Sequence, residues 1–281
     1  MPGWRLRGGT LDLGSPIGAG IVNVTTDSMW EGARSGTPEQ AIADGLRLAG
    51  SGFGMLDVGA VPARSGPPVS PAEEGERLAP AVAGLVERAE VPVSADTFQP
   101  EVARAAAAAG AHAINDIGGG EDAMLEVAAE SGCGYVLMHI EGPPRVDRPR
   151  PNYDDVVDRL KEFFAERIGR AVELGIDESA IAIDPGLDFD KTVADDLEIL
   201  RRLPELRELG RPLYVSLSRK DFIGAVLAGS WEGRLGASDR GAGTIAATAL
   251  ATAAGADVLR LHDPEALDAI RLATSLRGQA L

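Results

Sequence analysis

Eight short apolar runs in this sequence end in side chains that carry charge or make hydrogen bonds. The ends are Asn23, Asp57, Asp96, Asn115 with Asp116, Met138 with His139, Asp184, Ser218 with Lys220, and Arg260 with His262. Lys220, Arg260, Arg64 and a neutral His262 are donors suited to phosphate oxygens, whereas Asp96, Asp184 and Asn115 accept from amino or ring N–H groups. A carboxylate facing a planar N–C–N edge, as in a 2-aminopyrimidinone, makes two parallel hydrogen bonds. In a dry pocket that pairing rejects analogues lacking the donors. Residue type therefore points to a phosphorylated heterocycle. Any one of these residues has a plainer explanation, capping the next helix or meeting solvent; their recurrence at every run argues for a shared site.

Other chemistries fit less well. His139 and His262 could ligate a metal, but the first run has no His-x-His and the only other histidine is His112, a poor basis for a zinc hydrolase. Gly118-Gly119-Gly120 lacks the Gly-x-Gly-x-x-Gly and Walker spacings, and is read as a flexible strand-to-helix turn. Cys133 opens an apolar run and is read as a buried, inert thiol. Ser28, Ser218 and His262 come without a nucleophile elbow, so a serine hydrolase is not indicated.

The elements that must position these residues are read from periodicity. The runs are Ile17–Val24, Met55–Gly59, Val91–Asp96, His112–Ile117, Tyr135–Ile140, Ala180–Gly186, Leu213–Ser218 and Asp257–His262, each followed by a helical segment. Thr37-Pro38-Glu39-Gln40 and Ser70-Pro71-Ala72-Glu73 are helix starts with a hydroxyl cap and proline at the first position. Gly110, Gly132 and Gly175 end helices over Pro100–Ala109, Ala123–Ser131 and Tyr153–Leu174. Eight such alternations predict a (β/α)8 TIM barrel, an α/β fold with its chemistry at the C-terminal ends of the strands. Trp4–Leu13 reads as a small hairpin under the barrel floor. The long connections Thr25–Gly36, Ala60–Val69 and Glu141–Asn152 follow strands, where a barrel keeps its site.

With 281 residues, 44% of them hydrophobic and only 4% aromatic, the chain suits layered packing of small branched side chains. No linker or repeat divides it, so residues 1–281 read as one domain. A net charge of −16 disfavours nucleic acid and anionic membrane surfaces as partners. One cysteine excludes an internal disulfide framework, and Met1–Gly20 shows no signal-peptide pattern, so the expected compartment is the cytoplasm. No apolar run approaches the roughly 20 residues of a membrane span.

From about Ile21 to Asp263 the sequence resembles the dihydropteroate synthases, pterin-binding TIM barrels of folate biosynthesis. The resemblance is carried by Asn23-Val24-Thr25-Thr26-Asp27-Ser28, Asp57-Val58-Gly59, Asp96-Thr97, Asn115-Asp116, Leu137-Met138-His139, Asp184-Pro185-Gly186, Ser218-Arg219-Lys220 and Arg260-Leu261-His262-Asp263. It implies a transferase that joins 6-hydroxymethyl-7,8-dihydropterin pyrophosphate to p-aminobenzoate, releasing pyrophosphate. By similarity, Asp184, Asn115 and Lys220 would hold the pterin, with Asp96 beside it and Met138 on the wall, and Arg219, in the same motif as Lys220, would also bind substrate. Arg64, Arg260 and His262 would take the pyrophosphate, as would Asn23 through Mg²⁺. Asp96, Lys220 and Arg64 would be the catalytic groups, and a homodimer is implied.

The departures from the family pattern gather on the side of the amine. Thr26 and Met29 replace a proline and a phenylalanine. Gly59-Ala60-Val61-Pro62-Ala63-Arg64-Ser65-Gly66 stands for Gly-Gly-Glu-Ser-Thr-Arg-Pro-Gly, and Asp188-Phe189-Asp190-Lys191 for Gly-Phe-Gly-Lys. By similarity, Phe189 would still wall the second-substrate pocket. Asp221 replaces a serine that contacts the carboxylate of p-aminobenzoate in many members, and would either repel that anion or cap the next helix. The readings are thus a dihydropteroate synthase, with sulfonamide response altered because those drugs mimic p-aminobenzoate, or a paralogue that uses another amine or lacks turnover. A corrinoid methyltransferase of the same fold has no use for the pyrophosphate donors.

Overall fold

The computed structural model describes residues 3–24, 36–63, 66, 68–146 and 149–276. Strands β1 (Gly3–Leu6) and β2 (Gly9–Asp12) form an antiparallel hairpin. Eight parallel strands follow: β3 (Ile17–Asn23), β4 (Met55–Gly59), β5 (Val93–Asp96), β6 (Ala113–Asp116), β7 (Gly134–Met138), β8 (Ile181–Asp184), β9 (Tyr214–Ser216) and β10 (Val258–Leu261). Their order is β8-β7-β6-β5-β4-β3-β10-β9, and a parallel bridge between Ile183 and Leu213 joins the two ends into a nearly closed TIM barrel. Each strand anticipated from alternation is present: β4 has the expected bounds, β7 begins and ends earlier than expected, and the other six are shortened.

Around the barrel run α1 (Pro38–Gly50), α2 (Pro71–Arg88), α3 (Pro100–Ala108), α4 (Asp122–Ser131), α5 (Val156–Glu173), α6 (Val193–Arg201), the single turn α7 (Leu203–Leu206), α8 (Asp221–Ala228), α9 (Gly241–Ala254) and α10 (Ala266–Leu276). The caps follow the sequence: the Thr37 hydroxyl accepts from the Gln40 amide and that of Ser70 from the Glu73 amide. Helix α5 begins later than the expected Tyr153, because the Asp155 carboxylate takes the amides of Val157 and Asp158 and fixes the first turn there. Tyr153 instead donates its hydroxyl to the Asp190 carbonyl at 3.1 Å.

The barrel strands divide their side chains by period two. Val58, Ile114, Leu137, Ile183, Val215 and Leu259 face outward into one large core beneath the helices. Met55, Ala113, Val136, Ala182, Tyr214 and Val258 face inward and form a floor plugged by Trp4, Leu6 and Leu13. The fully buried Trp4 donates its indole N–H to the Ala180 carbonyl at 2.7 Å and meets Tyr214 edge-on at 6.4 Å. Gly134 admits this plug: a Cβ there would lie 2.5 Å from the Leu6 side chain. Two residues above the floor, on the same inward faces, come Asp57, Asn115, Met138, Asp184, Ser216 and Arg260. The alternation that seals the bottom of the barrel therefore places polar groups near its top.

Candidate active site

The deepest part of this layer is a carboxylate network. Asp57, fully buried, accepts hydrogen bonds from Ser94 Oγ at 2.5 Å, Asn115 Nδ2 at 3.0 Å and Arg260 Nε at 2.5 Å. The Arg260 Nη2 donates to Asp96 at 2.5 Å. One guanidinium thus spans two acids from neighbouring strands in the bridging arrangement to which its fork is suited. Burial opposes the Arg260 charge, but Asp57 and Asp96 outweigh it and push its pKa up. Burial raises the Asp96 carboxyl to about 7 against the pull of Arg260, and Asp57 and Glu74 add to the rise. Asp184 lies across the barrel, accepting from the Gly186 amide at 2.7 Å and Ser216 Oγ at 2.8 Å; burial raises its pKa as well. Gly186 has φ 66°, and a Cβ there would fall 2.1 Å from the His139 carbonyl oxygen, so this turn requires glycine.

An apolar wall adjoins the acids. Met138 packs with Ile117, Ile140 and Phe189, and Ala63 and Phe98 lie against them. Lys220 crosses between wall and acids: its Nζ donates to the Leu187 carbonyl at 2.9 Å and stands 4.5 Å from the centre of the Phe189 ring. Lys220 also draws the pKa of both Asp184 and Asp96 downward. His262 shares a 2.8 Å contact with Ser218 Oγ, and burial, reinforced by Arg260, Arg219 and Lys220, lowers its pKa to about 3. It is therefore neutral near pH 7. Arg219 adopts φ 56° and pairs with Asp263 at 2.9 Å while donating to the Ala237 carbonyl, which makes it a brace of the loop after β9. Asn23 ends β3 beside Gly59. Arg64 and Ser65 lie outside the described residues, as do positions 25–35 of the first loop.

A buried ring of donors and acceptors, with lysine and an aromatic wall at its edge, has the chemistry to bind a flat polar heterocycle. The model of the family described as pterin binding enzyme matches residues 19–262. The chain belongs to this family. It is 37% identical over 269 residues to the dihydropteroate synthase of Escherichia coli K12, covering 95% of this chain and 93% of that one. It is also 37% identical over 250 residues to a Mycobacterium leprae protein named inactive dihydropteroate synthase 2, covering 86% and 84%. The structure of Xanthomonas albilineans dihydropteroate synthase with 4-aminobenzoic acid superposes with TM-score 0.87 at 41% identity, covering 98% of each chain.

Against the family pattern, the altered positions have specific partners. The Asp221 carboxylate pairs with Arg240 at 2.7 Å and with Arg234 at 3.5 Å, so its charge is met by two arginines. Asp188 and Asp190 hold left-handed backbones, φ 68° and 54°, in which glycine is the usual residue. The Asp188 carboxylate accepts from the amides of Asp221 and Phe222, the latter at 2.9 Å, and that of Asp190 from the Glu141 amide at 3.0 Å.

Two strand-end residues serve the scaffold instead. Asp116 accepts from the amides of Gly118 and Gly120 and from the Tyr135 hydroxyl, so the triple-glycine turn is pinned by its own strand. His139, fully buried, lies beside Lys191 Nζ at 2.9 Å, Glu141 at 3.2 Å and the Phe163 ring at 4.7 Å, and burial lowers its pKa to about 4. Its surroundings are those of a structural imidazole. Cys133 is buried and its thiol pKa raised by that burial, which agrees with an inert role. The sequence marks Asp57 as a strand-end polar residue without a role, and Ser94, Ser216, Ile117 and Phe98 were missed. The signal available was the two-residue step: Ser94 lies two before Asp96, and Ser216 two before Ser218.

Proposed function

We propose that this chain is a dihydropteroate synthase, condensing 6-hydroxymethyl-7,8-dihydropterin pyrophosphate with p-aminobenzoate to give 7,8-dihydropteroate and pyrophosphate. The observation that carries the proposal is the inward polar layer, with Asp57, Asn115, Asp96 and Asp184 arranged around Arg260 and Lys220 beside the Met138–Phe189 wall. Asp184, Asn115 and Lys220 hold the pterin, Met138 walls it, and Phe189 faces the arriving amine. Arg64, Arg260 and neutral His262, with Arg219 bracing their loop, receive the pyrophosphate.

In this reading the bond between the pterin methylene and the pyrophosphate oxygen breaks with its electron pair leaving on pyrophosphate. The positive charge on the methylene spreads into the ring, and the ionised Asp96, placed beside the pterin in this reading, stabilises it. The lone pair of the neutral aromatic amine forms the new C–N bond, and the amine then loses a proton. Because the amine needs no deprotonation before attack, the work of the site is charge stabilisation and positioning.

Among the described residues no group of three or more His, Cys, Asp or Glu is arranged to hold a metal ion. The Asn23 amide oxygen fits Mg²⁺ as one neutral ligand, with pyrophosphate and water oxygens supplying the others, a common mode for this ion. When bound there, Mg²⁺ would offset the charge of the leaving group. A homodimer is proposed from the exposed Leu227, Ile245 and Leu250 on α8 and α9, and a cytoplasmic location from the lone, buried cysteine.

The test is pyrophosphate release by purified protein with Mg²⁺ and both substrates. Release that depends on p-aminobenzoate is expected. Binding of the pterin pyrophosphate without such turnover would replace this reading with a non-catalytic or differently coupled paralogue.

A further inference from the structure

We propose that Asp188 is a positioning residue for the amine side of the pocket, capping α8 from a different loop in place of Lys220, whose side chain cannot cap, and so holding Lys220 against Phe189. The inference rests on the proposed function for the identity of the amine, and on geometry for the rest. Lys220 is itself the cap residue of α8, with φ −63° and ψ 151°, and makes no side-chain capping hydrogen bond. Helix caps are ordinarily Ser, Thr, Asp or Asn, whose short side chains fold back onto the first amides. A lysine cannot accept such bonds. Here the two amides are taken by one carboxylate from the loop after β8, Asp188, which is almost fully buried. Lys220 extends across that same loop to the Leu187 carbonyl and the Phe189 ring.

Every residue of the segment 187–190 is fastened in this way. The Leu187 carbonyl accepts from Lys220; the Asp188 amide donates to Asp196 at 3.0 Å; the Phe189 carbonyl accepts from Lys191 Nζ at 2.9 Å; the Asp190 carbonyl accepts from Tyr153. The Asp188 side chain reaches α8, so it joins the loop bearing Phe189 to the helix that follows Lys220. Glycine at this position would keep the left-handed backbone at no steric cost and lose only the clamp.

The experiment compares Asp188→Gly and Asp188→Asn with wild type. Hydrogen exchange should quicken about tenfold at the Asp221 and Phe222 amides in Asp188→Gly, and less in Asp188→Asn, whose amide oxygen still accepts. The KM for p-aminobenzoate should rise about tenfold in Asp188→Gly, while kcat at saturation changes less than threefold and Asp188→Asn recovers part of the loss. Unchanged exchange would overturn the proposal. So would faster exchange with an unaltered KM for the amine, or equal losses in kcat and in the KM of both substrates. Wild-type protein that released no pyrophosphate would count against the proposed function alone. Asp188 would then be judged by exchange and by calorimetric affinity for p-aminobenzoate in the presence of the pterin pyrophosphate, with the same outcomes deciding.

Discussion

The two halves of the barrel mouth are built on different principles. The acid layer of Asp57, Asn115, Asp96, Asp184 and Arg260 stands on strands whose register is fixed by neighbours on both sides. Asn115, Asp57, Arg260 and Asp96 hydrogen-bond to one another across the barrel interior, and Asp184 accepts from Ser216 on the next strand. The amine side is assembled from connections, and its order comes from side chains that reach between loops: Asp188 to α8, Asp190 to Glu141, Arg240 to Asp221. A site on strands inherits its precision from the sheet, whereas a site on loops must supply its own. The family pattern is kept in the first half and rewritten in the second, where each new carboxylate has found a local donor.

If that contrast is right, the strand-borne half should fail abruptly. Asp184→Ala removes the acceptor of Ser216 and the proposed partner of the pterin edge, and we expect pterin affinity to fall about 100-fold or more, from two charge-assisted bonds. Calorimetry with the pterin pyrophosphate reads this directly, and unchanged affinity would refute the placement of the pterin. Next in size, Arg260→Met leaves Asp57 and Asp96 buried without their counter-charge. Breaking a buried pair from one side costs roughly 3–5 kcal/mol, so a large drop in the denaturation midpoint should accompany loss of turnover. A midpoint within error of wild type would show that the network contributes little to holding the mouth together.

The third effect is a pH dependence centred on Asp96. Its folded pKa, raised to about 7 by burial, lies above that of an unfolded aspartate. Between those values the folded protein binds more protons than the unfolded chain, so this group makes stability fall as pH rises toward 7 and adds no further change above it. Activity should move the other way, since stabilising a cation requires the ionised form: kcat should climb through a limb near pH 7. Asp196, also raised to about 7 by burial, titrates in the same window from behind the Lys191 cluster. Asp96→Asn separates them. It should remove the activity limb together with most of the rate, whereas a limb that persists would assign it to another group.

Much of this architecture could be read in the sequence because periodicity reports which way a side chain faces. The alternation Met55-Leu56-Asp57 declares a strand with one polar inward position near its end, and the capping signatures at Thr37 and Ser70 mark helix starts where they occur. Pairing was less accessible. Asp57, Asp96 and Asp184 look alike in one dimension. Only closure of the barrel brings Arg260 from β10 beside Asp57 and Asp96 from β4 and β5, so that a donor expected to meet pyrophosphate also ties two acids together. Asp188 was harder still: its role depends on a left-handed backbone and on the start of a helix 33 residues away whose own cap residue makes no side-chain cap bond.

Asp221 sharpens the contrast with the smallest expected effect. An unpaired aspartate at the serine position would repel the carboxylate of p-aminobenzoate, and of a sulfonamide's mimicry of it, but Arg240 and Arg234 stand against this charge. Arg240 is itself buried and also donates to the carbonyls of Leu235 at 2.7 Å and Arg219 at 2.8 Å, so it is held in place whether or not Asp221 is present. Asp221→Ser should therefore lower stability by about 1–3 kcal/mol, the cost of an unmet buried partner, while KM for p-aminobenzoate and inhibition by sulfamethoxazole shift less than threefold. A tenfold fall in KM would mean that the carboxylate does act on the substrate, and that the loop-borne half is less well neutralised than its ion pairs indicate.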